Sequence, residues 1–304
     1  MSTTEQELVD ELVIPPHEDE LPHPMEDYLR MERLPHIWCA TCGIGTILTA
    51  FIGGLQKSGL DRKKVAVVSG IGCSGRSAGY LRLDSFHATH GRAIPFATGL
   101  ALGNPELKVV VISGDGDLAA IGGNHFIHAA RRNIDMTIIC INNFNYAMTG
   151  GQAGPTTPLK ANASTAPYGS YEYPFNLPFL AESSGAVYVA RWTALHIRRL
   201  TKSITEALVK PGFSFIEVVC PCATLYARRN RLGTGLDLMK FYHDNATIRH
   251  GANTREVDIN YQERIVVGKF VDIDKPTFTL ARDKFLGSQL GEEYIPYKGP
   301  MNGH

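Results

Sequence analysis

The strongest constraint on this chain lies between residues 107 and 143. An apolar run from Leu107 to Ser113 ends in Gly114-Asp115-Gly116-Asp117, and a second, Met136 to Ile141, ends in Asn142-Asn143. Short runs rich in Val and Ile, each closed by a polar turn, read as buried strands. Leu118 to Arg132, between them, is long enough for a helix. A strand–helix–strand unit puts Asp115 and Asn143 side by side at the carboxyl ends of parallel strands, where open α/β sheets bind ligands. One carboxylate, one amide oxygen and nearby backbone carbonyls form a hard oxygen set suited to Mg²⁺ carrying a diphosphate.

The rest of the chain extends this pattern. Lys64–Ser69, Val187–Ala190 and Phe213–Val219 read as further strands, and Thr46–Lys57, Ala93–Leu102, Phe179–Ser183 and Thr193–Val209 as helices. Their alternation predicts an α/β fold with a doubly wound parallel sheet. Asp84 to Arg92 reads as a polar loop, and Phe144 to about residue 178 as an irregular stretch long enough to cover a site. Residues 1–30 read as an acidic, proline-containing N-terminal arm, 31–226 as the domain, and 227–304 as a C-terminal tail packing on a partner subunit, with one helix at Leu236–Asn245.

Composition narrows the class. Thirty basic and thirty acidic residues cancel, so no global charge favours nucleic acid or an anionic membrane. No apolar run approaches the ~20 residues of a membrane span, and the acidic N-terminus lacks the apolar stretch of a signal peptide. The expectation is a cytoplasmic enzyme, with no nucleic-acid or membrane partner.

Six cysteines in such a chain are metal ligands, redox groups or core rather than disulfides. Cys39-Ala40-Thr41-Cys42 is a CxxC; Cys73 sits in a glycine-rich loop after the first strand; Cys220 and Cys222 follow the last strand. A parallel sheet puts all strand carboxyl ends on one edge. Cys73 and Cys222 can therefore converge, with the CxxC loop folded over them. Four thiolates from three segments suit a 4Fe-4S cluster. The residues themselves leave Cys220 and Cys222 both open: Cys220 continues the strand alternation, whereas Cys222 lies beyond a proline. Cys140, mid-strand, reads as core.

The spacing from Gly114-Asp115-Gly116 to Asn142-Asn143 resembles the thiamine diphosphate motif, which implies Mg²⁺ held by Asp115, Asn143 and the backbone carbonyl of Asn145. Trp38-Cys39-Ala40-Thr41-Cys42-Gly43, Gly70-Ile71-Gly72-Cys73-Ser74-Gly75-Arg76, His90-Gly91-Arg92, the Met148-Thr149-Gly150-Gly151-Gln152 stretch and Pro221-Cys222 occur around it in order. Together, over about residues 30 to 230, they resemble the β subunits of 2-oxoacid:ferredoxin oxidoreductases, most closely the 2-oxoglutarate type. Two departures are Ala40-Thr41 between the first cysteines and Ala147 where glycine is common.

The resemblance implies the thiamine diphosphate-binding (pyrophosphate-type) fold. It also implies CoA-dependent oxidative decarboxylation of a 2-oxoacid, here 2-oxoglutarate to succinyl-CoA, with ferredoxin as acceptor. The cofactors are thiamine diphosphate, Mg²⁺ and one 4Fe-4S cluster on Cys39, Cys42, Cys73 and Cys222. Thiamine diphosphate would contact Ile71, Gly72, Cys73 and Ser74, then His90, Gly91 and Arg92, then Gly114, Asp115, Gly116 and Asp117, and finally Asn143, Tyr146, Ala147, Met148 and Thr149. Arg76 is assigned to a substrate carboxylate, which a guanidinium binds bidentately, and His90 to the reacting carbon or the diphosphate. Gln152 is a weaker candidate, and His125 and His128 read as packing or surface residues. The carboxylate that activates the aminopyrimidine is expected on an α subunit, in an α2β2 assembly. The alternatives are the same chemistry on pyruvate or branched-chain 2-oxoacids, a thiamine diphosphate lyase without redox chemistry, and a non-catalytic scaffold.

Overall fold

The computed structural model describes residues 23–300; the first 22 residues of the acidic arm lie outside that span. The strands are β1 (Val65–Ser69), β2 (Asp84–His87), β3 (Lys108–Gly114), β4 (Met136–Asn142), β5 (Asn145–Tyr146), β6 (Gln152–Ala153), β7 (Tyr188–Thr193), β8 (Phe213–Val219), β9 (Ala246–Ile248) and β10 (Ile265–Asp272). Eight of them form one sheet in the order β2-β1-β3-β4-β8-β7-β10-β9, and β5 and β6 pair as a small hairpin. From β2 to β7 the neighbours are parallel, as expected for strands linked through helices. Their carboxyl ends share one edge.

Both faces of the sheet are covered. One packs against α1 (Ile44–Ser58) and the helix Ile197–Val209, the other against the helices Ala93–Gly103, Gly123–Arg131 and Leu177–Ser183. This is why the central strands are nearly continuous in Val and Ile: alternate residues enter two different cores. Val67, Val110 and Ile139 enter the first core, Val68, Val111 and Ile138 the second. In the second core Phe126 meets Phe213 and Phe215 edge-on, with ring centroids 5.4 and 5.2 Å away. In the first, Gly54 of α1 lies against Ile204: a Cβ there would stand 2.6 Å from the Ile204 Cγ2. Of the adjacent glycines Gly53 and Gly54 in α1, Gly54 thus marks a close contact.

Three expectations are corrected. Asp84–His87, read as loop, is edge strand β2, and all four of its residues are exposed. An edge strand with little burial carries no apolar alternation to reveal it. Leu118 to Arg132 is not one helix: a short π-helix, Gly116–Ile121, precedes the α-helix Gly123–Arg131. Residues 246–248 and 265–272, read as tail, complete the sheet, β10 pairing antiparallel with β7. Gly268 and Lys269 interrupt the apolar run of β10 and masked it. The helix at Gly235–Asn245 opens with a capping box between Thr234 and Asp237.

Among the described residues no helix is long and apolar enough to cross a membrane.

Candidate active site

At the carboxyl edge, the loops after β1, β3 and β4 enclose a cavity of about 130 Å³. The β1 loop contributes Ile71, Gly72, Cys73 and Ser74; His90 comes from the approach to the next helix; Gly114, Asp115, Gly116 and Asp117 form the floor. The β4 loop closes it with Asn143, Asn145, Tyr146, Ala147, Met148 and Thr149, and Ile141 adds a wall the sequence reading did not include. Two close approaches require glycine. A Cβ on Gly116 would fall 2.2 Å from the Tyr146 ring, and one on Gly70 2.0 Å from an Asp117 oxygen.

Asp117 ties these loops together. Its carboxylate accepts from Ser113 Oγ at 2.7 Å, from the Gly91 amide at 2.8 Å and from the Ile71 amide at 3.3 Å. His90 donates to it through Nδ1. A carboxylate that can only accept holds that nitrogen protonated, so Nε2 is the ring nitrogen left for another partner. Read from the sequence as a cofactor contact, Asp117 is a cavity wall that also binds His90 and orients its ring. The Tyr146 ring meets the His90 ring edge-on, 6.3 Å between centroids.

Asp115 is buried, and its carboxylate accepts from Thr156 Oγ1. Burial is the main cause that pushes it up to about 6: a charge removed from water is disfavoured. Asn145 supplies a second clue. Its side-chain nitrogen donates to the Asn143 carbonyl at 2.7 Å, and its side-chain oxygen is buried with no partner among the described residues. A buried acceptor without a donor is costly, and a divalent cation satisfies both it and Asp115. The oxygen-only donor set fits Mg²⁺, and the glycine-lined floor fits a diphosphate. Asn145 thus presents an unpaired side-chain oxygen in addition to the backbone carbonyl assigned from the resemblance. The cavity wall has two carboxylates, Asp115 and Asp117, and both have hydrogen-bond partners within the chain.

The cysteine segments meet at the same edge. Trp38 Nε1 donates to the Cys73 carbonyl at 2.8 Å, stitching the CxxC loop to the β1 loop. A Cβ on Gly43 would lie 2.6 Å from Pro221 and 3.0 Å from the Cys220 sulfur. Burial, then the neighbouring Cys42, Cys222 and Cys39, push the Cys73 thiol up to about 11. Cys42 is drawn down to about 7, chiefly by a hydrogen bond from Cys220. Among the described residues no three His, Cys, Asp or Glu side chains converge as a ready single-ion site. A four-iron cluster spaces its thiolates one per iron, so three cysteines each within electrostatic reach of Cys73 fit a cluster better than one ion. Cys140 and Cys220 are buried in the core.

Three assigned residues stand apart from the cavity wall. Arg76 is exposed, Gly91 is buried behind the wall with its amide on Asp117, and Arg92 is exposed at the start of the helix Ala93–Gly103. Gln152 is likewise absent from the wall, its amide bonded to Thr149. His125 is half-buried and His128 exposed on their helix. The sequence reading also missed Asn142, Thr156, Glu217 and Arg191, which stand behind the cavity. A lone charge in each of two otherwise buried strands, Arg191 in β7 and Glu217 in β8, was the available signal.

Comparison with known proteins points to the same cofactor. Residues 70–218 match the family model of the thiamine pyrophosphate enzyme C-terminal TPP-binding domain. The chain is 53% identical to the 2-oxoglutarate synthase subunit KorB of Methanothermobacter thermautotrophicus, over 84% of this chain and 88% of that one. It is 44% identical to the 2-oxoacid:ferredoxin oxidoreductase subunit beta of Saccharolobus solfataricus, over 62% of each. A solved structure of 2-oxoglutarate:ferredoxin oxidoreductase from Magnetococcus marinus, with 2-oxoglutarate, coenzyme A and succinyl-CoA bound, superposes with a TM-score of 0.78. It shares 29% identity and covers 94% of both chains.

Proposed function

The chain belongs to the family of 2-oxoacid:ferredoxin oxidoreductase β subunits, and from that premise we propose how its residues share the work. With an α subunit, in an α2β2 assembly in the cytoplasm, it converts 2-oxoglutarate, coenzyme A and oxidised ferredoxin to succinyl-CoA, CO₂ and reduced ferredoxin. The reverse carboxylation uses the same site. The observation that carries this reading is Cys73, which lines the cavity and also faces the other three cysteines. A lyase without redox chemistry has no use for that adjacency.

Asp115, Asn143 and Asn145 would hold Mg²⁺, and Cys39, Cys42, Cys73 and Cys222 the cluster. Thiamine diphosphate supplies an electron sink for cleavage beside the 2-oxo group, and the cluster supplies a one-electron exit. The chain's own residues do the rest. Gly114 and Gly116 let the floor approach the diphosphate. His90, oriented by Asp117, presents Nε2 to hold or move a proton beside the reacting carbon. Ala147 and Met148 line the cavity beside Tyr146. Arg76 lies on the exposed side of the β1 loop, from which a guanidinium can reach a substrate carboxylate only if the α subunit closes over it.

The test is the purified αβ complex, assayed anaerobically with coenzyme A and a viologen acceptor against 2-oxoglutarate, pyruvate and branched 2-oxoacids. 2-Oxoglutarate should give the highest kcat/KM, and a preference for pyruvate would sink the substrate assignment. A brown preparation absorbing near 400 nm is expected; a colourless one containing zinc would remove the cluster.

A further inference from the structure

Behind the cavity lies a chain of buried polar groups that the reaction itself does not use. Arg191 and Glu217 face each other in register on β7 and β8, and each is 1% exposed. Arg191 Nε donates to Glu217 Oε2 at 2.6 Å, and its Nη1 donates to the Val257 carbonyl. The other carboxylate oxygen of Glu217 accepts from Asn142 Nδ2 at 2.7 Å. Asn142 Oδ1 in turn accepts from the Phe144 amide at 3.1 Å and lies 2.9 Å from Thr156 Oγ1. The single hydroxyl proton of Thr156 is shared between Asp115 and Asn142 Oδ1, both within hydrogen-bond reach of Oγ1.

This arrangement does not pay for itself as stability. A fully buried ion pair is commonly no better than apolar residues of the same shape, because desolvating both ions offsets their attraction. It does determine geometry. Phe144 has φ +63, a conformation that is costly for an aromatic residue. It persists because both of its backbone polar groups are held: Asn142 takes its amide, and Thr157 Oγ1 donates to its carbonyl at 2.6 Å. Phe144 is the residue between Asn143 and Asn145, so its conformation sets where both point.

We propose that the Arg191–Glu217 pair is the positioning device of the cation site. Acting through Asn142 and Thr156, it holds the Asp115 carboxylate and the 142–145 turn in ligand geometry. None of the four is a catalytic residue. The inference rests on the cofactor reading above.

The experiment titrates Mg²⁺–thiamine diphosphate into the cofactor-stripped αβ complex, following tryptophan fluorescence for Kd, with thermal unfolding of each stripped complex alongside. Partners one shell behind a metal ligand typically change affinity 10- to 100-fold. Thr156→Val and Glu217→Gln should therefore each raise Kd by at least about tenfold. Thr156→Ser, which keeps the hydroxyl, should restore affinity to near the wild-type value. The double variant Thr156→Val/Glu217→Gln should bind no more weakly than the weaker single variant, because both act through one path. If Glu217→Gln does not fold, Arg191→Met/Glu217→Leu removes both charges together and should still bind weakly. Unchanged Kd in folded variants, or fully additive effects, would overturn the proposal. A wild-type complex that does not bind Mg²⁺–thiamine diphosphate would instead overturn the cofactor reading, and the proposal with it.

Discussion

Three titrating groups make the residue scale testable. Asp115 is protonated more readily in the folded chain than in the unfolded one, because burial raises it from 3.8 to about 6. Its contribution to stability is therefore intact below about pH 4 and is lost as pH rises through 6. Two units correspond to roughly 3 kcal/mol. Cofactor-free Asp115→Asn should match the wild type in urea stability near pH 4 and exceed it by a few kcal/mol at pH 7.5. The same variant should lose Mg²⁺–thiamine diphosphate while retaining the cluster spectrum. Among the cysteines, Cys42 at about 7 and Cys73 at about 11 differ by on the order of a thousandfold in thiolate fraction at pH 7.5. In cluster-free protein, iodoacetamide followed by peptide mass mapping should label Cys42 well before Cys73. Cys222→Ser should abolish the 400 nm absorbance while Cys220→Ser preserves most of it; the opposite outcome would move the ligand assignment to Cys220.

At the scale of elements, the packing of α1 against Ile197–Val209 is the contact to probe. Gly54 has no room for a side chain, because Ile204 Cγ2 and the Thr201 carbonyl are already within 2.6 and 3.2 Å of a Cβ there. Gly54→Leu should lower stability by roughly 1–3 kcal/mol. Ile204→Ala in the same chain should recover part of that loss, measured by denaturant unfolding. Gly53, one position away, meets only Thr201 Cγ2 at 3.5 Å. Gly53→Ala should be neutral or stabilising by about 0.5–1 kcal/mol, the helix-propensity difference. The two outcomes separate close packing from backbone freedom as the reason for the pair.

At the scale of the whole molecule, the proposed assembly with an α subunit makes the site one half of a catalytic unit. Both carboxylates of the cavity wall have hydrogen-bond partners within the chain, so neither is free to activate the aminopyrimidine. Tyr168, Tyr171 and Tyr173, on the loop leading away from Thr156, are 102%, 83% and 88% exposed. The purified β chain should show no 2-oxoacid oxidation with cofactors present, and adding the α subunit should restore it. Activity in the β chain alone would mean that Asp115 or Asp117 does both jobs.

Much of the sheet was legible because it is encoded locally. Val- and Ile-rich runs between turn signals reveal buried parallel strands, and their alternation with helices places Asp115, Asn143, Cys73 and Cys222 on one edge before any contact is known. What was not legible depends on partners distant in sequence. β2 and β10 are strands because β1 and β7 offer them hydrogen bonds, not because their own patterns demand it. Asp117 faces His90 and Asp115 faces Thr156 only after the loops close. The path from Arg191 through Glu217 and Asn142 to Asp115 spans three strands and one long loop, so no window of sequence contains it. The amino-acid order by itself determined which chemical groups reach the carboxyl edge. Only tertiary structure decided which of them are left unpaired there to hold a ligand, because hydrogen-bond satisfaction is settled among neighbours in space.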